Sequence, residues 1–197
     1  MINEKPKKRQ IIPDHAKKVF KGVIFDVYHW EQEMFDGTFE TFEKLRRADA
    51  TQLIAITEEG KIIVTEEQQP CKAPYLNVPG GRIEEDENPL ESAQRELLEE
   101  TGYASGDVEL LSVSRPYSKI DSAVHYFVAR NCKKVAEQHL DAGEKISIRL
   151  VTFEEFVNMA LAGKLQNKGL AFLMLENEIR TENNPENLEK LRRKIFK

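Results

Sequence analysis

The sequence predicts an α+β fold, with a mixed sheet packed between helices and a β-rich arm before it. Three observations carry this expectation. Runs rich in β-branched and aromatic residues outnumber helical patterns. Turn signals join consecutive runs into hairpins. Two of the three main helical patterns lie late in the chain, so strand and helix do not alternate regularly. The 197 residues fit one large domain with an arm, since about 150 residues per domain is usual. The expected division is a tail and hairpin arm over residues 1–48, a main domain over 49–180, and a polar helix or tail over 181–197.

The elements follow in order. Val19 to Tyr28 reads as a strand, and Asp36-Gly37 turns it into a hairpin with TFETFEKL. A second hairpin runs QLIAI, Glu58-Glu59-Gly60, KIIVT. Pro89 to Thr101 reads as a helix: Asn88 caps it, Pro89 suits its first position, and Glu91 closes a capping box. Gly102 supplies the left-handed residue at its end. VELLSVS, AVHYFVA and ISIRLV read as strands. Helical patterns follow over Phe153 to Ala162, opened by the capping box Thr152 and Glu155, and over about Lys168 to Ile179. The terminal LEKLRRKIFK suits a short amphipathic helix.

Composition excludes several function classes. Lys and Arg number 29 against 34 Asp and Glu, giving 29 − 34 = −5. The sequence pI near 5.6 argues against a nucleic-acid binder. No run approaches the ~20 apolar residues of a membrane span. The start, MINEKPKKRQ, lacks the apolar core of a secretory signal. Cys71 and Cys132 have no metal spacing and read as reduced thiols of a cytoplasmic protein. The basic run over residues 1–21 reads as a solvated tail.

The chemistry concentrates in Gly80 to Tyr103. Glu84 to Glu100 holds eight acidic residues and one basic residue, Arg95. Helical spacing gives an apolar stripe of Leu90, Ala93, Leu97, Leu98 and Thr101, with Glu96 and Glu100 along one border and Glu99 beside them. A solubilising helix would carry its acids opposite the stripe. Here three carboxylates converge beside the core with no lysine at helical spacing. Such a cluster favours a cation, and an all-oxygen set suits Mg²⁺ or Mn²⁺.

This segment resembles the Nudix box, G-x5-E-x7-R-E-U-x-E-E-x-G-U, where U is a bulky aliphatic residue. Gly81, Glu87, Arg95, Glu96, Leu97, Glu99, Glu100 and Gly102 fall on the pattern, and only Tyr103 departs from it. The resemblance implies a Nudix-type α/β/α sandwich and a metal-dependent hydrolase of nucleoside diphosphates linked to another group. It implies Glu96, Glu99, Glu100 and the Gly80 carbonyl as metal ligands. It implies an Arg95–Glu87 pair tying loop to helix, with Arg95 and Glu99 in the catalytic machinery, and Gly81 easing a tight turn.

Weaker similarity points to the ADP-ribose pyrophosphatase branch. That branch has a β-rich arm that exchanges strands in a homodimer, and a proline about fifteen residues past the box; Pro116 stands at thirteen. The segment DAGEKISIRLVTFEEF resembles the branch's loop, strand and helix, which puts the water-activating acid at Glu144. The branch often carries Gln-x-Arg before the box, but the run here is Glu67-Gln68-Gln69-Pro70, with Gln69 in the arginine's place as a substrate contact. Asn77 replaces the first acid of the branch's E-L-P-A-G. Arg115 offers a substitute phosphate contact. Tyr28 and Trp30 share a strand face that either stacks on a nucleotide base or packs an arm–arm interface. The implied reaction is ADP-ribose to AMP and ribose 5-phosphate. The alternatives are a GDP-sugar or dinucleoside-polyphosphate hydrolase, and a Nudix-type nucleotide sensor. No nucleic acid or membrane is expected as a partner.

Overall fold

The protein is described by a computed structural model over residues 12–170 and 186–196. These residues fall into two compact units. One holds the chain up to Asp49 together with Arg115–Val124; the other holds Ala50–Ser114 and the chain from His125 onward. Residues 115–124 thus join the arm's unit, although in sequence they lie within the span 49–180.

The first unit is a four-stranded sheet ordered β1 (Lys17–Lys21), β2 (Asp26–Glu33), β3 (Phe39–Arg46) and β9 (Ile120–Asp121). β2 and β3 pair antiparallel from Asp26↔Arg46 to Glu33↔Phe39. Asp36 and Gly37 make the turn: Asp36 Oδ1 accepts from Thr38 N at 3.0 Å, and Gly37 sits at φ +82°. β9 joins parallel to β3, and Arg46 grips Asp121 from 3.1 Å.

One expectation needs correction here. Val19 to Tyr28 is not a single strand. The chain reverses between Lys21 and Asp26, which pair, and Gly22 N donates to Phe25 O at 3.0 Å. A Cβ on Gly22 would meet Phe25 O at 2.5 Å, so glycine permits the close approach. The turn was hidden because its middle, Val23 and Ile24, is β-branched; both side chains are exposed.

The second unit is built on a sheet ordered β11 (Lys145–Val151), β5 (Ile62–Gln68), β4 (Ala50–Thr57), β10 (Val124–Lys134) and β7 (Tyr103–Ala104). β6 (Tyr75–Asn77) pairs with β5, and β8 (Asp107–Ser114) with β10. Alternation divides its side chains between two faces. Leu53, Ala55, Ile63, Phe127 and Ala129 meet Ala93 and Leu97 of helix α1 (Pro89–Thr101). Asn131, at φ +53°, interrupts the alternation of β10, and Cys132 returns to the α1 face. On the other side, Arg130 donates to the carbonyls of Ile195 (2.9 Å) and Lys194 (2.7 Å) in the helix Glu186–Phe196. Phe196 packs edge-on against Phe153 of helix α2 (Phe153–Leu161). Helices therefore cover both faces, the expected sandwich. α2 begins at the expected capping box, with Thr152 Oγ1 accepting from Glu155 N at 3.2 Å. The helix expected over 168–179 falls mostly outside the described residues, as does the basic run before Ile12. No helix of the described residues is long and apolar enough to cross a membrane.

Candidate active site

Helix α1 is fixed at both ends by its own sequence. Asn88 Oδ1 accepts from Leu90 N and Glu91 N, both at 3.0 Å, and Glu91 returns a bond to Asn88 N. At the far end Gly102, φ +70°, donates to Leu98 O at 2.7 Å. A Cβ there would lie 2.1 Å from Ala136 O, so both the angle and the packing require glycine. The buried face differs from the expected stripe. It runs through Ser92, Ala93, Leu97, Glu100 and Thr101, while Leu90 and Leu98 are 40% and 38% exposed. Glu100 therefore lies within the buried face rather than on its border.

Arg95 organises the acids around it. Its guanidinium grips Glu87 with two bonds, Nε to Oε1 at 2.8 Å and Nη2 to Oε2 at 3.0 Å. Nη1 donates at 2.9 Å to both Glu96 Oε1 and Glu99 Oε2, and Nη2 reaches Arg82 O at 3.2 Å. The box loop is thereby tied to the helix. Arg95 holds the Glu87 carboxyl below its usual range, with the Glu84 amide helping.

Two glycines bring the preceding loop against these acids. Gly80 N donates to Glu100 Oε2 at 2.8 Å. A Cβ on Gly81 would lie 2.3 Å from Glu96 Oε1, so Gly81 clears space for a carboxylate. Thr51 N to Gly81 O (2.9 Å) and Leu53 N to Pro79 O (2.8 Å) pin the loop to β4.

The acids are strongly perturbed. Burial pushes the Glu100 carboxyl up to about 9; Glu67, Glu96 and Glu144 add to this and the Gly80 amide opposes it. Burial pushes Glu96 up to about 7, with Glu99 and Glu144 adding and Arg95 opposing. Glu144 is raised by burial first, then by Asp141, Glu67 and Glu99. Glu144 thus shares one electrostatic environment with the α1 acids.

Two residues that the sequence reading passed over belong to this environment. Glu67, 8% exposed, accepts from Thr65 Oγ1 at 2.6 Å. Tyr75 faces Glu67 across the β5–β6 pair. Burial, then Glu67, raises the phenol well above its ordinary value, so it stays a neutral donor. The period-2 alternation Ile63, Thr65, Glu67 was the available signal, because it puts a carboxylate on the α1 face of the strand. A cavity of about 520 Å³ opens beside Glu144, walled by 68–73 on one side and 142–145 on the other. Gln69 lines it.

The family model for the NUDIX domain matches residues 46–172. The chain belongs to the Nudix hydrolase family. The ADP-ribose pyrophosphatase of Bacillus subtilis (strain 168) is 28% identical over 161 residues, covering 79% of this chain and 86% of that protein. The methanol dehydrogenase activator of Bacillus methanolicus is 31% identical over 143 residues, covering 71% of this chain and 77% of the activator. A crystal structure of an ADP compounds hydrolase superposes with a TM-score of 0.68 at 18% identity, covering 90% of this chain and 97% of the other, which shows a shared fold.

The donor set of this Nudix hydrolase fits a hard divalent cation. Glu96, Glu99 and Glu100 offer only oxygens, the donor type that such a cation takes. Among the described residues, no three acids, histidines or cysteines stand close enough to hold an ion as placed. Glu96 and Glu99 are turned toward Arg95 instead, so gathering them requires side-chain rotation.

The remaining expected contacts lie in the first unit. Arg115 Nη1 stands 3.8 Å from Asp121 Oδ1. Trp30 is buried, edge-on to Phe42 with ring centroids 5.7 Å apart, and its Nε1 donates to Gln32 at 3.1 Å. The Tyr28 ring carries the Arg46 guanidinium 4.8 Å from its centroid.

Proposed function

We propose that this Nudix hydrolase splits the diphosphate of ADP-ribose, adding water to give AMP and ribose 5-phosphate, with Mg²⁺ or Mn²⁺ as its cofactor. The observation that carries the reading is the electrostatic environment that Glu96, Glu99 and Glu100 share with Glu144, Glu100 being only 6% exposed. Glu96, Glu99, Glu100 and the Gly80 carbonyl would hold the ion. Bound there, it supplies Lewis-acid stabilisation of phosphate oxygens and a more acidic water. Arg95, fixed by Glu87, sets where Glu96 and Glu99 start from. Glu144 accepts the proton of the attacking water, a role its raised pKa suits. Gln69, on the cavity wall, contacts substrate.

The similarity to an ADP-ribose pyrophosphatase supports this substrate. The departures at Gln69 and Asn77 keep GDP-sugars and dinucleoside polyphosphates as the second reading. One experiment decides: kcat/KM with Mg²⁺ for ADP-ribose, GDP-mannose, diadenosine polyphosphates, NADH and dNTPs. ADP-ribose is expected to lead; a larger value for any other class replaces it. Turnover of none of them supports a nucleotide sensor.

The arm is proposed to build a homodimer. Its unit exposes Val19, Phe20, Val23, Ile24, Phe35 and Phe39, more apolar surface than a small sheet leaves to water. Tyr28, Trp30 and Arg115 belong to that unit, where Trp30 is buried against Phe42. The free thiols Cys71 and Cys132 support a cytoplasmic site.

A further inference from the structure

The cavity beside Glu144 faces a problem of charge. A diphosphate substrate is an anion, and Glu67, Glu96, Glu99, Glu100 and Glu144 form one set of mutually repelling acids. Beside the metal ion of the hydrolase reading, a cation of the chain would help to meet the phosphates. Arg95 is committed to Glu87, Glu96, Glu99 and the Arg82 carbonyl. Two lysines line the cavity, Lys72 and Lys145. Lys145 pairs with Gln68, while its neighbour Ile146 pairs with Glu67. Lys145 therefore lies on the sheet face opposite Glu67 and the buried acids.

Lys72 is placed differently. Its backbone closes a turn by donating to Gln69 O at 3.1 Å, with Pro70 and Cys71 between them and Cys71 at φ +61°. Its ammonium rests 3.6 Å from the centre of the Tyr75 ring. Tyr75 stands opposite Glu67 across the β5–β6 pair, and Thr65 holds Glu67. The ring face of Tyr75 attracts the cation, and a carboxylate beside the phenol strengthens that attraction. Among the described residues, no carboxylate makes an ion pair with the Lys72 ammonium, so its charge is available at the cavity wall.

We propose that Lys72, seated on the face of Tyr75, is the cation that grips a phosphate of the bound nucleotide, and that Glu67 positions it through Tyr75. This rests on the reading of the site as a nucleoside-diphosphate hydrolase. It also accounts for glutamine at position 69, since the charge comes from three residues further along.

The test uses ADP as the probe, titrated calorimetrically into the whole protein, beside steady-state kinetics on the substrate that the panel selects. Lys72→Met is expected to weaken ADP binding about 10- to 100-fold, the worth of a hydrogen bond to a charged group. KM rises by a similar factor, with a smaller change in kcat. Added salt weakens ADP binding to the wild type more than to Lys72→Met. Lys72→Arg restores most of the affinity. Tyr75→Leu, with Lys72 intact, loses part of it. Lys72 is exposed, so an unchanged melting temperature shows that the variant folds. ADP affinity within about twofold of wild type in Lys72→Met overturns the proposal, as does a wild type that does not bind ADP. If no panel substrate is turned over but ADP binding still depends on Lys72, the hydrolase reading fails and the phosphate grip stands. If the panel gives turnover and Lys72→Met binds ADP normally, only the grip fails.

Discussion

Gly80 N donates to Glu100 Oε2 across 2.8 Å, joining the loop before the Nudix box to the last turn of its helix. Gly80, at φ +149°, holds a backbone angle that other residues avoid, and a Cβ there would lie 2.2 Å from Thr51 O. The bond thus depends on a glycine that β4 leaves no room to replace. It meets a carboxyl that burial makes costly to ionise.

The first prediction concerns stability against pH in EDTA. Glu100, raised to about 9, binds its proton more tightly folded than unfolded, where a carboxyl titrates near 4.5. Its contribution is full below the unfolded value and is lost as pH rises through the folded one. Glu96, raised to about 7, adds in the same direction. Denaturant melts should show stability falling from about pH 5 to pH 9. Glu100→Gln, which can still accept from Gly80 N, should flatten that slope and melt higher than wild type at pH 8. A wild-type curve that rises over this interval would sink the assignment.

Glu99→Gln and Glu100→Gln should each lose most activity while keeping the fold. Glu99 is a partly exposed residue on α1, and neither substitution removes an apolar contact. Circular dichroism and turnover at saturating Mg²⁺ decide the matter. Near-normal rates in both variants would end the metal-ligand reading.

The helix and its glutamates were legible in the sequence because local rules fix them. Asn88, Pro89, Glu91 and Gly102 set the ends, and the box spacing set the acids. Glu100's deep burial was not legible, because Leu90 and Leu98 imitate a core stripe that the sheet does not cover. Glu67 and Tyr75 were missed for another reason. They meet only through the β5–β6 pairing, and β6 is three residues long, too short for a periodic signal. The break at Gly22 was masked by β-branched residues that sit exposed in a turn.

Gly81→Ala and Gly80→Ala should separate metal binding from folding. The Cβ of Gly81→Ala meets the flexible end of Glu96, which can move. That variant should keep its melting temperature within a few degrees and lose Mg²⁺ affinity. The Cβ of Gly80→Ala meets the Thr51 carbonyl and the Gln52 backbone, which cannot move cheaply. About 2 kcal/mol or more of destabilisation is expected, the range for strain and overpacking. Equal stability of the two variants would contradict the geometry.

The wild type should sediment as a dimer at micromolar concentration. Phe20→Glu, at a side chain 59% exposed, should shift it toward monomer without lowering the melting temperature of the catalytic unit. A monomeric wild type would remove the arm's proposed role.

Glu144 is the last test and separates three roles. A carboxylate near the attacking oxygen that accepts its proton is worth about 10²–10⁴-fold. Glu144 suits this, since it lines the cavity and is raised by burial and by its acidic neighbours. Its backbone is held by Glu144 N to Asp141 O at 2.9 Å, which leaves the side chain to choose its partner. Glu144→Gln should lower kcat by that factor with little change in KM or Mg²⁺ affinity. It should also remove the acidic limb of the pH–rate profile, because the base must be ionised to act. A drop of less than threefold would make Glu144 a loop acid and return the base to Glu96, Glu99 or Glu100. Loss of Mg²⁺ affinity with kcat intact would make it a metal ligand instead, and the rotation needed to gather Glu96 and Glu99 would then have to bring the ion to the cavity wall.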